Sequence, residues 1–185
     1  MSTAHATFTK EQFEALPNQD RYELIDGRLV KKDMSNIASY FGNVIYTLLF
    51  NYSLKTKSGH AFGDNTNYAC FTDDPELVRK PDASWFSKSR APKALTREAY
   101  TVAPDLIVEA ISPRESAEKT ERKIQQFFDA GTLEAWIVYP EINILHRHFA
   151  TGSGGRRYGV DDVIDGAPLL PGFSFKLADI LAAAP

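Results

Sequence analysis

The chain has 185 residues and a formal net charge of −3, with 43% hydrophobic and 24% charged residues. This length and balance predict one globular domain spanning 1–185 and argue against extensive disorder. The charge argues against tight, non-specific coating of DNA, but it leaves a nucleic-acid substrate open because a bound cation restores attraction to phosphate.

Other features of the sequence narrow the class of protein and the cell compartment in which it is expected. No apolar run approaches the roughly 18 residues needed to cross a bilayer. Residues 1–10 lack the basic start and apolar stretch of a secretory signal. Cys70 is the only cysteine, which excludes an internal disulfide and a cysteine-based zinc cage. We therefore expect a cytoplasmic protein that does not bind membranes.

The first elements carry clear boundary signals. Thr9 as N-cap, Gln12 at the capping-box position and Pro17 as a stop predict a short opening helix. The Asp26-Gly27 pair lies between two apolar-rich runs. Such a pair is a strong short-range signal for a β-hairpin.

The middle of the chain predicts one long helix and several strands. Apolar residues recur every three or four positions over 35–57, which predicts an amphipathic helix that Gly59 is expected to end. Short strands are predicted at 67–71 and 83–86. A buried apolar strand is predicted at 105–111, before a Ser-Pro stop.

The last third predicts a helix, a hairpin and a closing helix. The second helix should span 114–130, with Gly131 as its C-terminal stop. Residues 134–139 and 142–149 predict a hairpin, and residues 177–184 predict a last short helix. This order of elements predicts an α/β (α+β) fold in which a mixed sheet is flanked by helices.

Three acidic residues occupy positions that suit metal chemistry. Asp82 precedes a predicted strand, Glu109 interrupts an otherwise apolar strand, and Glu23 lies in the first hairpin. Phosphodiester hydrolysis needs hard oxygen ligands that converge on Mg²⁺ and a positive group beside the phosphate. The alternative for each acid is a solvent-facing strand residue or a salt-bridge partner. Asp105 lies about 13 Å from Glu109 along the strand, too far to share its metal.

Basic residues are distributed over several loops. The candidates for phosphate contacts are Lys31-Lys32, Arg79-Lys80, Lys88, Arg90, Lys93 and Arg156-Arg157. We interpret most of them as solvated loop charges. A glycine-rich loop ending in Lys-Ser/Thr does not occur in the sequence, which excludes a P-loop enzyme.

The acids stand in a pattern that resembles the PD-(D/E)XK nuclease superfamily and, more narrowly, the Uma family of small bacterial restriction-endonuclease-like proteins. The matching segments are residues 22–30, 79–82 (Arg-Lys-Pro-Asp), 104–113 (Pro-Asp-Leu-Ile-Val-Glu-Ala-Ile-Ser-Pro), Lys123 and 131–140. They run through most of the chain in family order, and their combination is more specific than any single segment.

The resemblance implies a restriction-endonuclease-like mixed sheet core flanked by helices and a Mg²⁺-dependent endonuclease that acts on DNA. Mn²⁺ would substitute for Mg²⁺. Asp82 and Glu109 would hold the ion together with the backbone carbonyl of Ala110. Glu23 would approach from the first hairpin as an auxiliary acid.

The catalytic lysine is expected on the helix that follows the acids. The family's usual lysine, two residues after the acid, is replaced by Ile111, and Lys123 matches the helix lysine that takes its place. With Ile124 at the centre of the buried stripe, Lys123 flanks the stripe more closely than Lys119 does. We therefore assign the catalytic role to Lys123, and predict DNA phosphate contacts for Lys119 and Lys80.

Two positions depart from the family pattern. Lys119 and Tyr139 each stand where family members usually carry aspartate. These changes keep open a second hypothesis, a catalytically degenerate nuclease-fold protein that binds nucleic acid or a protein partner. The intact Asp82 and Glu109 favour the nuclease. The sequence does not distinguish DNA from RNA, and a homodimer is possible.

Overall fold

The computed structural model describes residues 7–32, 35–93, 95–151 and 154–184. Residues 1–6, which contribute to the expectation about a secretory signal, lie outside the described part. Within the described ranges, no helix is both long and apolar enough to cross a membrane.

The described part of the chain contains four α-helices and ten strands. The helices are α1 (Lys10–Glu14), α2 (Asn36–Thr56), α3 (Ala117–Asp129) and α4 (Leu177–Ala182). The strands are β1 (Tyr22–Ile25), β2 (Arg28–Lys31), β3 (Gly59–Gly63), β4 (Ala83–Ser87), β5 (Leu106–Ala110), β6 (Glu134–Tyr139), β7 (Ile144–Phe149), β8 (Arg156–Tyr158), β9 (Val163–Asp165) and β10 (Ser174–Lys176). Short 3-10 turns cover Gln19–Arg21 and Pro140–Ile142.

A six-stranded mixed sheet forms the centre of the structure, in the order β3-β4-β5-β6-β7-β8. Strands β5 and β6 are parallel, and the other neighbouring pairs are antiparallel. Helix α3 lies in the crossover between the two parallel strands, which a hairpin turn could not join. The predicted mixed sheet flanked by helices is confirmed.

Apolar side chains of the sheet alternate between two cores. Val108 of β5 packs in the core that α2 covers, where Phe41 and Ile45 are fully buried. Ile107, its neighbour, faces the opposite core with Phe127 of α3. This alternation follows from the two-residue period of a strand, and it leaves the sheet covered on both faces.

Most local predictions agree with the structure. Thr9 and Gln12 form the reciprocal capping box at the start of α1. Asp26 and Gly27 take positive φ angles of 50° and 69° and connect the antiparallel strands β1 and β2. Helix α3 begins later than expected, because the Ser116 side chain caps it by accepting a hydrogen bond from the Lys119 N–H.

Two local predictions are wrong. Gly59 does not end α2, since Lys57 terminates that helix in the left-handed conformation and Gly59 begins β3. Residues 67–71 do not form a strand. In this segment Tyr68 makes only isolated bridges, one of them to Arg79.

The position of Gly59 explains why glycine is needed there. A Cβ atom at this residue would overlap the carbonyl oxygen of Phe86 and the indole ring of Trp85. At Gly63, four residues along the same strand, the nearest neighbour of a Cβ would be the Tyr46 ring at 4.0 Å. The two glycines therefore form a matched pair for measuring the effect of close packing.

We expect Gly59→Ala to lower the free energy of unfolding by about 2 kcal/mol or more, because the extra methyl group overpacks the strand. Gly63→Ala should change it by no more than about 0.5 kcal/mol, as for an ordinary substitution in open space. Urea unfolding followed by circular dichroism measures both values. Equal changes in the free energy of unfolding for the two substitutions would contradict the close packing of Gly59 against Trp85 and Phe86.

Candidate active site

A cleft of about 390 Å³ opens beside the end of β5 and the first turns of α3. The β1–β2 hairpin forms one wall, the segment leading into β4 forms the floor, and α3 forms the other wall. The lining residues include Glu23, Lys32, Arg79, Asp82, Glu109, Ala110, Arg114, Lys119, Arg122 and Lys123. The cleft therefore brings together acids that are widely separated in sequence.

Asp82 lies directly before β4 and is 5% exposed. Its Oδ2 accepts a hydrogen bond of 2.8 Å from the backbone N–H of Ala110, while its Oδ1 lies 3.1 Å from Lys32 Nζ. A Cβ atom on Gly42 of α2 would lie only 3.1 Å from the Cβ of Asp82. Glycine at this point of the helix allows α2 to approach the acid closely.

Glu109 lies in β5 and is also 5% exposed. Its Oε1 is 2.7 Å from Lys123 Nζ, although this contact does not have the geometry of a regular hydrogen bond. Burial raises the pKa of Glu109 to about 8, and the charge of Asp82 adds to this effect while Lys123 opposes it. The carboxylate is therefore held in an environment that disfavours its charge unless a cation is close.

Lys123 points inward from α3 and is 6% exposed. Besides the contact with Glu109, its Nζ lies 2.9 Å from Glu23 Oε1 and donates a hydrogen bond of 2.9 Å to the carbonyl of Lys80. Burial alone would lower its pKa, but Glu109, Glu23 and Asp82 outweigh burial and raise the pKa above its ordinary value.

Glu23 in β1 accepts three donors. These are Lys123 Nζ, Arg79 Nη1 at 2.9 Å and the backbone N–H of Lys80 at 2.7 Å. Burial would raise its pKa, but Lys123, Arg79 and the Lys80 N–H together lower the pKa to about 2. Arg79 is held in turn by Gln126 of α3, whose Oε1 accepts from Nε and Nη2 at 3.0 and 2.6 Å.

Four of the predicted site residues line the cleft: Glu23, Asp82, Glu109 and Lys123. The two predicted phosphate contacts, Lys119 and Lys80, lie in different surroundings. Lys119 is exposed on the cleft wall. Lys80 is fully buried, donates to the carbonyl and side-chain oxygens of Gln19, and lies 5.5 Å from the centre of the Phe13 ring. An enclosed ammonium cannot reach a phosphate at the surface, so the interpretation of Lys80 is corrected.

Sequence reasoning missed three residues of the site. Lys32 and Arg79 belong to the set of basic residues that we interpret mostly as solvated loop charges, but both form ion pairs with cleft acids. Gly42 was not singled out. The sequence signal for Arg79 is its place in the Arg-Lys-Pro-Asp segment. The signal for Gly42 is a glycine inside a predicted helix, which often has a packing reason. Nothing local distinguishes Lys32 from its neighbour Lys31.

The donor set of the cleft fits a magnesium ion. Across the described ranges, no group of three or more His, Cys, Asp and Glu side chains is arranged to hold a metal. Asp82 and Glu109 line the cleft together with Ala110, whose backbone follows Glu109 in the chain. Mg²⁺ is commonly bound through one or two carboxylates while water and substrate phosphates complete its shell. A structural zinc site, which needs four protein ligands, does not fit.

Comparison with known proteins identifies the family. One similar solved structure is a crystal structure titled as a "putative nuclease belonging to DUF820" from Anabaena variabilis ATCC 29413. It has a TM-score of 0.77 and 20% sequence identity, and covers 95% of this chain and 98% of that chain, which shows a shared fold. No curated protein matches. The Uma2 family model, described as "Putative restriction endonuclease", matches residues 10–180, and the chain therefore belongs to the Uma2 family.

Proposed function

We propose that the protein is an endonuclease that uses a divalent metal ion to hydrolyse phosphodiester bonds in DNA, with an active site of the PD-(D/E)XK type. The observation that carries this proposal is the meeting of Glu109 and Lys123, both buried, at 2.7 Å in a cleft that also holds Asp82. Membership of the Uma2 family, whose description is "Putative restriction endonuclease", supports the same reaction class.

Asp82 and Glu109 are the proposed metal ligands, with the backbone carbonyl of Ala110 as a third. When bound, Mg²⁺ or Mn²⁺ polarises the phosphate and lowers the pKa of an attacking water. The Ala110 N–H holds Oδ2 of Asp82 and so fixes the plane of that carboxylate. Fixed ligands need no reorganisation when the reaction begins, which is how a preorganised site lowers a barrier.

Lys123 is the proposed catalytic cation. Its ammonium group lies next to Glu109, so a phosphate held by a metal ion at Asp82 and Glu109 would lie within reach of Lys123. A positive charge in a buried site stabilises the additional negative charge of the transition state more strongly than one in water. Glu23 fixes Lys123 in place, and we assign it this positioning role because its carboxylate is engaged by three donors.

Exposed cations on α3 and the segment before it supply the proposed DNA contacts. Arg114, Lys119 and Arg122 all line the cleft and are exposed. Their charges would meet phosphates beside the scissile bond and place it over the carboxylates. Such contacts position the substrate and carry no sequence information of their own.

The alternative, a degenerate nuclease-fold protein, rests on Lys119 and Tyr139. Lys119 lies on the cleft wall, apart from the buried ion pairs, and Tyr139 packs with its ring centre 5.2 Å from that of His146. Neither residue replaces a carboxylate that contacts Lys123. Because burying ionic groups is costly, a retained set of buried acids around a lysine favours the catalytic proposal.

We expect Asp82→Asn to abolish Mn²⁺ binding and cleavage together, because it removes a metal ligand. Lys123→Gln should lower the cleavage rate by about 100-fold or more but weaken Mn²⁺ binding by less than about tenfold, since it acts on the transition state. Calorimetry and nicking of supercoiled plasmid measure the two quantities, with thermal unfolding as the check on folding. The control is Asp161→Asn, at an exposed position away from the cleft. Full cleavage by Asp82→Asn would end the proposal.

Lys119→Ala should weaken DNA binding and reduce the slope of log Kd against log salt by about one, as expected for the loss of a single phosphate contact. Lys88→Ala is the matched control, because Lys88 is an exposed lysine that follows the other end of β4. Fluorescence anisotropy with a labelled duplex in Ca²⁺ measures both. If the two variants bind alike, Lys119 is not a DNA contact.

A further inference from the structure

Lys32 is the cation that faces the proposed metal ligand from the hairpin side. It follows β2, and its Nζ lies 3.1 Å from Asp82 Oδ1. The two side chains are 12% and 6% exposed, so the pair is largely withdrawn from water. The Asp82 oxygen that Lys32 contacts is the one that the Ala110 N–H leaves free for a further partner.

The contact of Lys32 is weaker than that of Lys123. Among the described residues, Asp82 is the single hydrogen-bond partner of the Lys32 ammonium, and 3.1 Å is long for a charge-assisted bond. Lys123, in contrast, contacts Glu109, Glu23 and the Lys80 carbonyl at 2.7 to 2.9 Å. Of these two lysines, Lys32 is therefore the one that can leave at low cost.

The hairpin does not depend on this ion pair for its position. Leu24 and Val78 exchange two backbone hydrogen bonds of 3.0 and 2.9 Å, and both side chains are fully buried in one apolar cluster with Phe13. The backbone N–H of Lys32 also donates to the Arg21 carbonyl, which extends the hairpin ladder by one residue. The ion pair between Lys32 and Asp82 would therefore add little to the attachment of the hairpin.

Lys32 and Lys123 differ in how they would respond to a metal ion held by Asp82 and Glu109. Such an ion would repel both ammonium groups, because like charges interact strongly over short distances in a partly buried site. Lys123 also contacts Glu23 and the Lys80 carbonyl, whereas Lys32 contacts Asp82 alone among the described residues. Displacement would therefore fall on Lys32, which lines the same cleft that a phosphodiester would enter.

We propose that Lys32 is a resident counter-ion of Asp82, which a divalent metal ion displaces and whose freed ammonium group then contacts the substrate phosphate. The proposal rests on the proposed function. The flexible four-carbon side chain of Lys32 allows its ammonium group to move from the Asp82 carboxylate into the cleft, while the Lys32 backbone keeps its hydrogen bond in the β1–β2 hairpin. Lys32 thereby lowers the affinity for the metal and links metal binding to phosphate binding.

Removing this charge should have opposite effects on two measurable quantities. Lys32→Gln should bind Mn²⁺ about tenfold more tightly than the wild type in calorimetry, because no partly buried ion pair has to be exchanged. At saturating Mn²⁺, the same variant should cleave plasmid DNA about tenfold more slowly, because the phosphate has lost a cation. A lysine that served only folding would not produce tighter metal binding with slower cleavage.

Two further variants isolate the cause. Lys31→Gln removes the same charge one residue away, where the exposed side chain lines the cleft mouth, and it should change Mn²⁺ affinity by less than about threefold. Lys32→Arg keeps the charge and should bind Mn²⁺ as weakly as the wild type. Mn²⁺ affinity of Lys32→Gln equal to that of Lys31→Gln would overturn the displacement.

The outcomes also separate this inference from the proposed function. If Asp82→Asn loses Mn²⁺ binding while Lys32→Gln binds like the wild type, the metal site stands and the role of Lys32 is overturned. If Asp82→Asn binds Mn²⁺ like the wild type, the metal site itself is refuted. Tighter Mn²⁺ binding by Lys32→Gln with an unchanged cleavage rate would support the displacement and overturn the phosphate contact.

Discussion

The ammonium group of Lys123 lies inside the protein, and the arrangement of the cleft follows from the need to satisfy its charge. Burying an unpaired charge is costly, so the group needs close partners in fixed positions. Glu109 comes from the sheet, Glu23 from the hairpin, and the Lys80 carbonyl from the segment before β4. Three separate parts of the chain are therefore held around one atom, and one of the proposed metal ligands, Glu109, is among them.

The positions of these partners depend on β5 and β6, the single parallel pair among the strands that the structure describes. Because β5 and β6 are parallel, the chain must cross over between them, and α3 makes this crossing with Lys123 on its buried side. In open α/β sheets, ligands bind beyond the carboxyl ends of the strands, which is where Glu109 and Ala110 end β5. The long helix α2 closes the opposite side, and Gly42 lets it approach Asp82.

Local patterns were enough to predict most of the fold and only part of the candidate site. Periodicity placed α2, α3 and β5, and the angular position of Lys123 beside Ile124 predicted that it flanks the buried stripe, where the structure has it. Its role remains a proposal. The surroundings of Lys32 and Lys80 could not be predicted because they depend on how the hairpin docks, through contacts such as the bridge between Leu24 and Val78. Lysine burial of this kind has no period or spacing in the sequence.

We propose that Asp82 and Glu109 share one divalent ion next to Lys123. The most direct measurement is anomalous diffraction from crystals soaked with Mn²⁺, collected at the manganese edge. We expect one strong peak at bonding distance from a carboxylate oxygen of each acid, roughly 2.0–2.3 Å, with the Lys123 ammonium still beside Glu109. A peak that contacts neither carboxylate, with both acids keeping only their protein partners, would contradict it.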